Sequence, residues 1–241
     1  MTTQSIMAEH ATERVILAHW ERQNANRGLK SKPALTIALT RESGTQGTSV
    51  ARAIGERLEW PVYDYELVEM IAQKAGLRTS LLEIFDERQK SWLLECVEGF
   101  TSTPGLSEIG YARQLAETIL SLGTLGRCVI VGRGAAQILP QATTLRVRLV
   151  GLLSDRIRTA SQQRGLSSID AQRHIKERDD QRIQFVKSHF LKDPSDPTEC
   201  DLLLNRSRWS VADCADLIVQ TLRFVENRKA DIGSTKAQVP G

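Results

Sequence analysis

Aromatic side chains make up only 5% of this 241-residue chain. Surfaces that hold single-stranded nucleic acid without regard to sequence stack its bases on aromatic rings, so a broad polynucleotide-binding face is not expected. Cysteine is equally thin. Cys96, Cys128, Cys200 and Cys214 stand far apart with no C-x-x-C pair, and the four histidines form no ligand-spaced set. This argues against a zinc site and a disulfide framework, and fits a reducing compartment. No uncharged apolar run nears the ~20 residues that a membrane helix needs. The first residues lack a basic stretch leading into an apolar one, and Glu9 and Glu13 interrupt them; the expectation is a soluble, cytoplasmic protein with no membrane partner. A strong charge excess is missing too. The 32 Lys and Arg oppose 29 Asp and Glu, a net +3, too mild for a dedicated nucleic-acid binder and slightly favourable to small anions.

What the chain does have is apolar runs alternating with amphipathic stretches. With 41% apolar residues, a chain of this length buries a full core, and one large domain with small additions is expected. Residues 1–33 read as an N-terminal helix, about Met7 to Asn24, and a basic linker, NRGLKSKP. The domain spans 34–228, and 229–241 reads as a flexible tail. Within the domain, a strand at Leu35 to Leu39 leads to a helix at Val50 to Leu58, and WPVYD forms a strand ending at Asp64. Helical periods follow at Glu66 to Lys74, Ser80 to Val97 and Ser107 to Leu122, the last two parted by a GFTSTPG loop and expected to cap a site. Cys128 to Val131 is a strand that runs into Gly132-Arg133-Gly134 and a short helix. LRVRLVGL is a strand, Ser154 is the expected cap of a helix reaching Gln163, and a long helix spans Ile169 to about Phe190. CDLLLN and Val211 to Glu226 close the series. Apolar strands alternating with helices predict a parallel α/β sheet covered on both faces. Ligands of such sheets bind at the carboxyl ends of the strands, where both glycine turns lie.

The first of those turns, Ser43-Gly44-Thr45-Gln46-Gly47-Thr48-Ser49, joins a strand to a helix. Gly44 and Gly47 permit backbone that points successive N–H groups at a phosphate, and the helix adds its positive end. Against the G-x-x-x-x-G-K-[ST] pattern, Glu42 stands for the first glycine, Thr48 for the lysine and Ser49 for the Mg²⁺-binding hydroxyl. A phosphate cradle and a plain strand-to-helix turn both fit this pattern. A set of arginines accompanies it. Arg133 directly follows a buried strand. Arg156 sits in a helix first turn, where a cation needs a compensating anion. Arg178 and Arg182 are one turn apart with Asp179 beside them, suited to a phosphoryl clamp or to solvation. Asp64 is either a helix N-cap or a substrate contact. Lys176 and Lys187 belong to the solvated face.

These pieces, taken as TRESGTQGTSVARAIGERLEWPVYDYELVEMIA, FDERQKSWL, CVIVGRGAAQIL, LRVRLVGLLSDRIRTA, GLSSIDAQRHIKERDDQRIQFVKSHF and CDLLLNRSRWS, resemble in order the cytidylate kinase-like relatives of the P-loop nucleoside monophosphate kinases, over roughly residues 34 to 225. The resemblance implies a P-loop NTPase-type sheet with ATP and Mg²⁺ at residues 42 to 49, a helical region after Asp64 for a (deoxy)cytidylate-like acceptor, and a mobile arginine-bearing lid at about 154–192. It makes Arg133 an acceptor-phosphate ligand and Arg156 and Arg178 donor-phosphate and transition-state cations. Asn205 to Ser207 would lie near the donor base. Two departures stand out. The loop lysine is absent, and the R-D-x-x-D-x-x-R of the lid helix is reduced to Arg178, Asp179 and Arg182, with Phe185 in the last place. Phosphoryl transfer rests on positioning and charge neutralisation, so another cation near the γ-phosphate, Arg41 or Arg182, can replace the lysine. The alternative is a catalytically weak nucleotide-binding regulatory protein.

Overall fold

The computed structural model describes residues 34–83, 85, 87–101 and 109–235, together with Arg14, Ile16, Ala18, His19 and Glu21 of the N-terminal segment. Five strands, β1 (Thr36–Arg41), β2 (Val62–Tyr63), β3 (Val129–Val131), β4 (Thr144–Val150) and β5 (Leu202–Asn205), form one sheet in the order β2-β3-β1-β4-β5. Every pairing is parallel. β1 is central and pairs with β4 from Thr36 to Arg41. Its carboxyl end, with that of β3, delivers both glycine turns to one edge.

Successive strand residues face opposite ways, which gives the sheet two cores. Ile37, Leu39, Val147 and Leu149 pack on α1 (Gly47–Leu58) and on α9 (Val211–Thr235) through Val50, Ile54, Ile218 and Leu222. Ala38 and Ile130 face the other way, toward α2 (Tyr65–Gln73), α3 (Ala75–Glu83), α4 (Glu87–Thr101), α5 (Ile109–Leu125) and the short α6 (Ala135–Ile138), with Ile71, Leu81, Leu93 and Leu115 in that core. Fully burying each such Leu or Ile contributes about 1.5–3 kcal/mol. α7 (Leu153–Arg164) and α8 (Ser168–Phe190) form a hairpin with a small core of its own, Ala160, Ala171 and Ile175. The far end of α8 returns to the main body, where Val186 and Phe190 join the second core.

Several expectations are corrected. The stretch from Ser80 to Val97 is two helices, α3 and α4, and Phe85 is buried between them; the apolar period runs through the break because both helices face one core. α2 to α5 are therefore the sheet's covering layer. Ser154 is not a cap. α7 starts at Leu153, and its N-cap Leu152, which has no side-chain cap bond, is held by Ser207, whose Oγ accepts from the Leu152 N–H at 2.8 Å. α9 runs past Glu226 to Thr235, since Arg, Lys and Ala there are good helix formers. The five described residues of the N-terminal segment are helical, with Ile16 and His19 buried. The remainder of that expected helix, the basic linker, residues 102–108 of the expected loop and residues 236–241 of the tail lie outside the described residues. Among the described residues no helix is long and apolar enough to cross a membrane.

Candidate functional site

Residues 42–46 turn the chain from β1 into α1. Gly44 is left-handed, with φ of 84°, as a glycine allows, but the second such position is Gln46, at 57°. Gly47 is not left-handed, contrary to expectation. Its smallness serves a side chain instead: a Cβ there would lie 2.7 Å from Cγ of Arg41. The strained Gln46 is held from outside. Arg206, just beyond β5, donates to Gln46 Oε1 at 2.7 Å and to the Thr45 carbonyl at 3.3 Å. Thr45 Oγ1 donates to the Glu42 carbonyl at 2.7 Å, and Glu42 Oε2 accepts from the Gly151 N–H at 3.0 Å. The loop is thus fixed to the ends of β4 and β5 before α1 begins.

The second turn is more strained. Gly132, Arg133 and Gly134 have φ of 78°, 53° and 74°, and an arginine in that region costs about 1–3 kcal/mol. The conformation sets the Arg133 guanidinium 5.4 Å from the Tyr65 ring centroid and 5.3 Å from that of Phe185. Arg133 also donates to Glu69, while its buried Nε has no partner.

The helical hairpin is fastened to the first turn. Arg156 Nε donates to the Ser43 carbonyl at 2.8 Å, and its guanidinium pairs with Glu42 at 3.2 Å and with Asp179. Asp179 in turn accepts from the Ser43 N–H at 2.7 Å. These carboxylates are the anions that a cation in a helix first turn requires. Arg182 donates to Ser43 Oγ at 3.0 Å and to the Arg41 carbonyl at 3.3 Å. Arg178 is exposed on the same helix. Burial, then Arg182 and Arg133 nearby, pull the Arg41 guanidinium down to about 9, and burial likewise lowers Arg182. Burial, together with Arg164 and Arg178, holds His174 below the usual histidine range.

Between the two turns and α8 lies a cavity of about 610 Å³. Of the residues expected at the site, Arg41, Gly44, Gln46, Gly47, Thr48, Ser49, Arg133, Arg178, Asp179 and Arg182 line it. Thr45 is buried beneath the loop. Arg156 and Asn205 stand behind the wall, and the Asn205 side chain accepts from the Ser207 N–H at 2.9 Å. Asp64 caps α2, accepting from the Leu67 N–H at 3.1 Å, which leaves the cap reading standing. Wall residues missed by sequence reasoning include Tyr65, Gln137, Arg148 and His174. Gln137, buried with its Oε1 unpartnered, lies on the short α6 that follows the Arg133 turn, and a polar side chain within the otherwise apolar AAQIL run was a usable signal. Arg148 had one too, being a charge inside an apolar strand; it donates to the Pro194 carbonyl. Among the described residues no cluster of His, Cys, Asp or Glu is placed to hold a metal ion by itself.

No curated protein matches the chain. Among solved structures, an uncharacterized protein from Eubacterium ventriosum ATCC 27560 superposes with a TM-score of 0.64 at 22% identity, over 80% of this chain and 99% of that one. A gluconokinase from Sinorhizobium meliloti 1021 aligns at a TM-score of 0.46 and 14% identity, over 83% and 99% of the two chains. A shikimate kinase from Bacteroides thetaiotaomicron aligns at 0.45 and 15%, over 78% and 98%. The model of the cytidylate kinase-like family matches residues 36–208, a span that runs from β1 through both glycine turns and the helical hairpin to the residues that brace the loop. With its parallel sheet, Gly-rich turn at the central strand and arginine-bearing hairpin, the chain belongs to the cytidylate kinase-like family and has the α/β fold of P-loop kinases.

Proposed function

We propose that the protein is a phosphotransferase that moves the γ-phosphoryl group of ATP to a (deoxy)cytidylate-like acceptor. The observation that carries this reading is the cavity, in which a helix-capping turn and converging arginines face one another at the carboxyl edge of the sheet. ATP phosphates lie along residues 44–49, against loop N–H groups and the positive end of α1. The exposed Ser49 hydroxyl on the cavity wall fits a Mg²⁺ that arrives with the nucleotide and keeps most of its waters. Such an ion would supply charge neutralisation to the triphosphate, with Ser49 as the residue placed to hold it. Arg133 binds the acceptor phosphate, with Asp64 and Asp179 at the edges of the acceptor region. Arg178 and Arg182 approach the transferring group, Arg156 acts on it through the loop, and Asn205 lies toward the donor base. An acceptor phosphate oxygen attacks the γ-phosphorus, the bond to the bridging oxygen breaks, and ADP leaves with the electron pair; no proton moves.

A second reading is a nucleotide-binding regulatory protein. It is favoured by Asp179, whose carboxylate already accepts from the loop amide of Ser43, and by Thr48 in the lysine position. Phosphoryl transfer from Mg·ATP, measured with the purified full chain against each common nucleoside monophosphate, separates the two. Transfer to a cytidylate is the expected result. Tight Mg·ATP binding without transfer to any acceptor overturns the enzyme reading and supports the regulatory one.

A further inference from the structure

Of Arg41, Arg156, Arg178 and Arg182, two are tied into ion pairs and one stands open to solvent. Arg156 is committed to Glu42, Asp179 and the Ser43 carbonyl. Arg182 is committed to Ser43, the Arg41 carbonyl and Asp179. Arg178 sits exposed on α8. Arg41 combines what each of them lacks: it is the last residue of the central strand, it lines the cavity from a partly buried position where Arg178 is exposed, and, unlike Arg156 and Arg182, its guanidinium has no carboxylate or carbonyl partner among the described residues. Its course is built into both turns. The aliphatic stem runs against Gly47, where any Cβ would crowd Cβ and Cγ of Arg41 at 3.0 and 2.7 Å, and the guanidinium ends against Gly132, where a Cβ would strike Nη1. Two glycines on two separate turns therefore leave room for one side chain, whose charge lies between the donor loop and the Arg133 turn.

Resting on the phosphotransferase reading above, we infer that Arg41 is the cation that does the work of the missing lysine, reaching the γ-phosphoryl group from the strand before the loop rather than from the helix after it. A guanidinium in that position contacts non-bridging oxygens of the group in flight on the face nearer the acceptor. It neutralises charge that grows in the transition state and exchanges no proton. The electrostatics agree with the geometry. Burial and two neighbouring cations, Arg182 and Arg133, outweigh the support that Tyr65 and Asp64 give the charged form of Arg41, so an arriving polyanion relieves a repulsion as well as making a bond. A residue kept only for stability is not expected in such surroundings, because a charge held there without a partner makes the fold less stable.

The test uses the full-length protein and the variants Arg41→Gln, Arg41→Met and Arg41→Lys. Binding of Mg·AMP-PNP and of Mg·ADP is measured by calorimetry, and thermal unfolding by scanning calorimetry. Removing the charge is expected to leave the Tm unchanged or raise it by about 2–4 °C. It is expected to weaken AMP-PNP at least about tenfold while changing ADP by less than about threefold, with Arg41→Lys in between. If wild-type protein transfers phosphate, kcat in Arg41→Gln should fall by about 10³ or more. A lowered Tm with AMP-PNP affinity unchanged in the folded variants would make Arg41 structural and overturn the inference. Equal weakening of AMP-PNP and ADP would overturn it as well, by placing the cation away from the γ-phosphate. The binding arm decides this even where the wild-type protein transfers nothing, so failure of the phosphotransferase reading and failure of the Arg41 assignment are told apart.

Discussion

Arginine chemistry dominates at the scale of single residues, and the partners of each arginine separate the roles. Arg133 is held between two rings and against Glu69, so its orientation is fixed before any phosphate arrives. Arg133→Ala is expected to raise the acceptor KM about 10- to 100-fold, the size of a lost hydrogen bond to a charged group, while the ATP KM changes little; steady-state kinetics in both substrates check this, and equal changes would count against the assignment. His174 reports on the same field. Its neighbours Arg164 and Arg178 and its burial disfavour a proton, so its NMR titration midpoint should lie below the usual 6.5 and rise when Mg·ATP or pyrophosphate is added. A midpoint above 6.5 in the protein alone would contradict this electrostatic picture.

Among the elements, the α7–α8 hairpin carries the most information. Its core is small, yet Asp179 and Arg156 tie it to the loop, and Phe190 anchors its end. Replacing Asp179 with Ala removes the acceptor for the Ser43 N–H and one of two carboxylates facing Arg156. A loss of about 1–3 kcal/mol in denaturant-induced unfolding is expected, with faster hydrogen exchange in α7 and α8 than in the sheet. Unchanged exchange there would mean that packing alone holds the hairpin. The helix itself was legible from Ile169 to Phe190 because its polar face and apolar positions repeat over many turns. The break between α3 and α4 was not, since one core receives both helices and the apolar period never lapses.

For the whole molecule, the central feature is that residues far apart in the chain meet at one edge and one flank. The flank is the less obvious. His19, in the segment before the sheet, is buried with one ring nitrogen 3.0 Å from the Tyr63 hydroxyl and the other 2.7 Å from the Gly126 carbonyl. It joins β2 and the end of α5 through a residue that lies outside the matched family span of 36–208. His19→Phe keeps an aromatic ring there but withdraws both bonds, and a destabilisation of about 1–3 kcal/mol by chemical denaturation is expected. No loss would show that these two hydrogen bonds add nothing to stability.

By itself the sequence determined the parallel sheet, the order of its elements, the two glycine turns and the arginines that accompany them, because periodicity, glycine placement and charge next to buried strands are local properties. Only the tertiary structure decided which of those charges are available. Arg156 reads as a ligand in the sequence and is committed to Glu42 and Asp179 in the fold. Arg41 and Arg182 read as equal candidates for the lysine's work, and the fold pairs Arg182 with Asp179 while leaving Arg41 with no carboxylate partner among the described residues. Gly47 reads as a backbone requirement and turns out to be clearance for the Arg41 side chain. The physical reason is common to all three: a cation's role depends on which carboxylates and side-chain stems from distant parts of the chain come within a few ångströms of it, and no pattern along the chain encodes that distance.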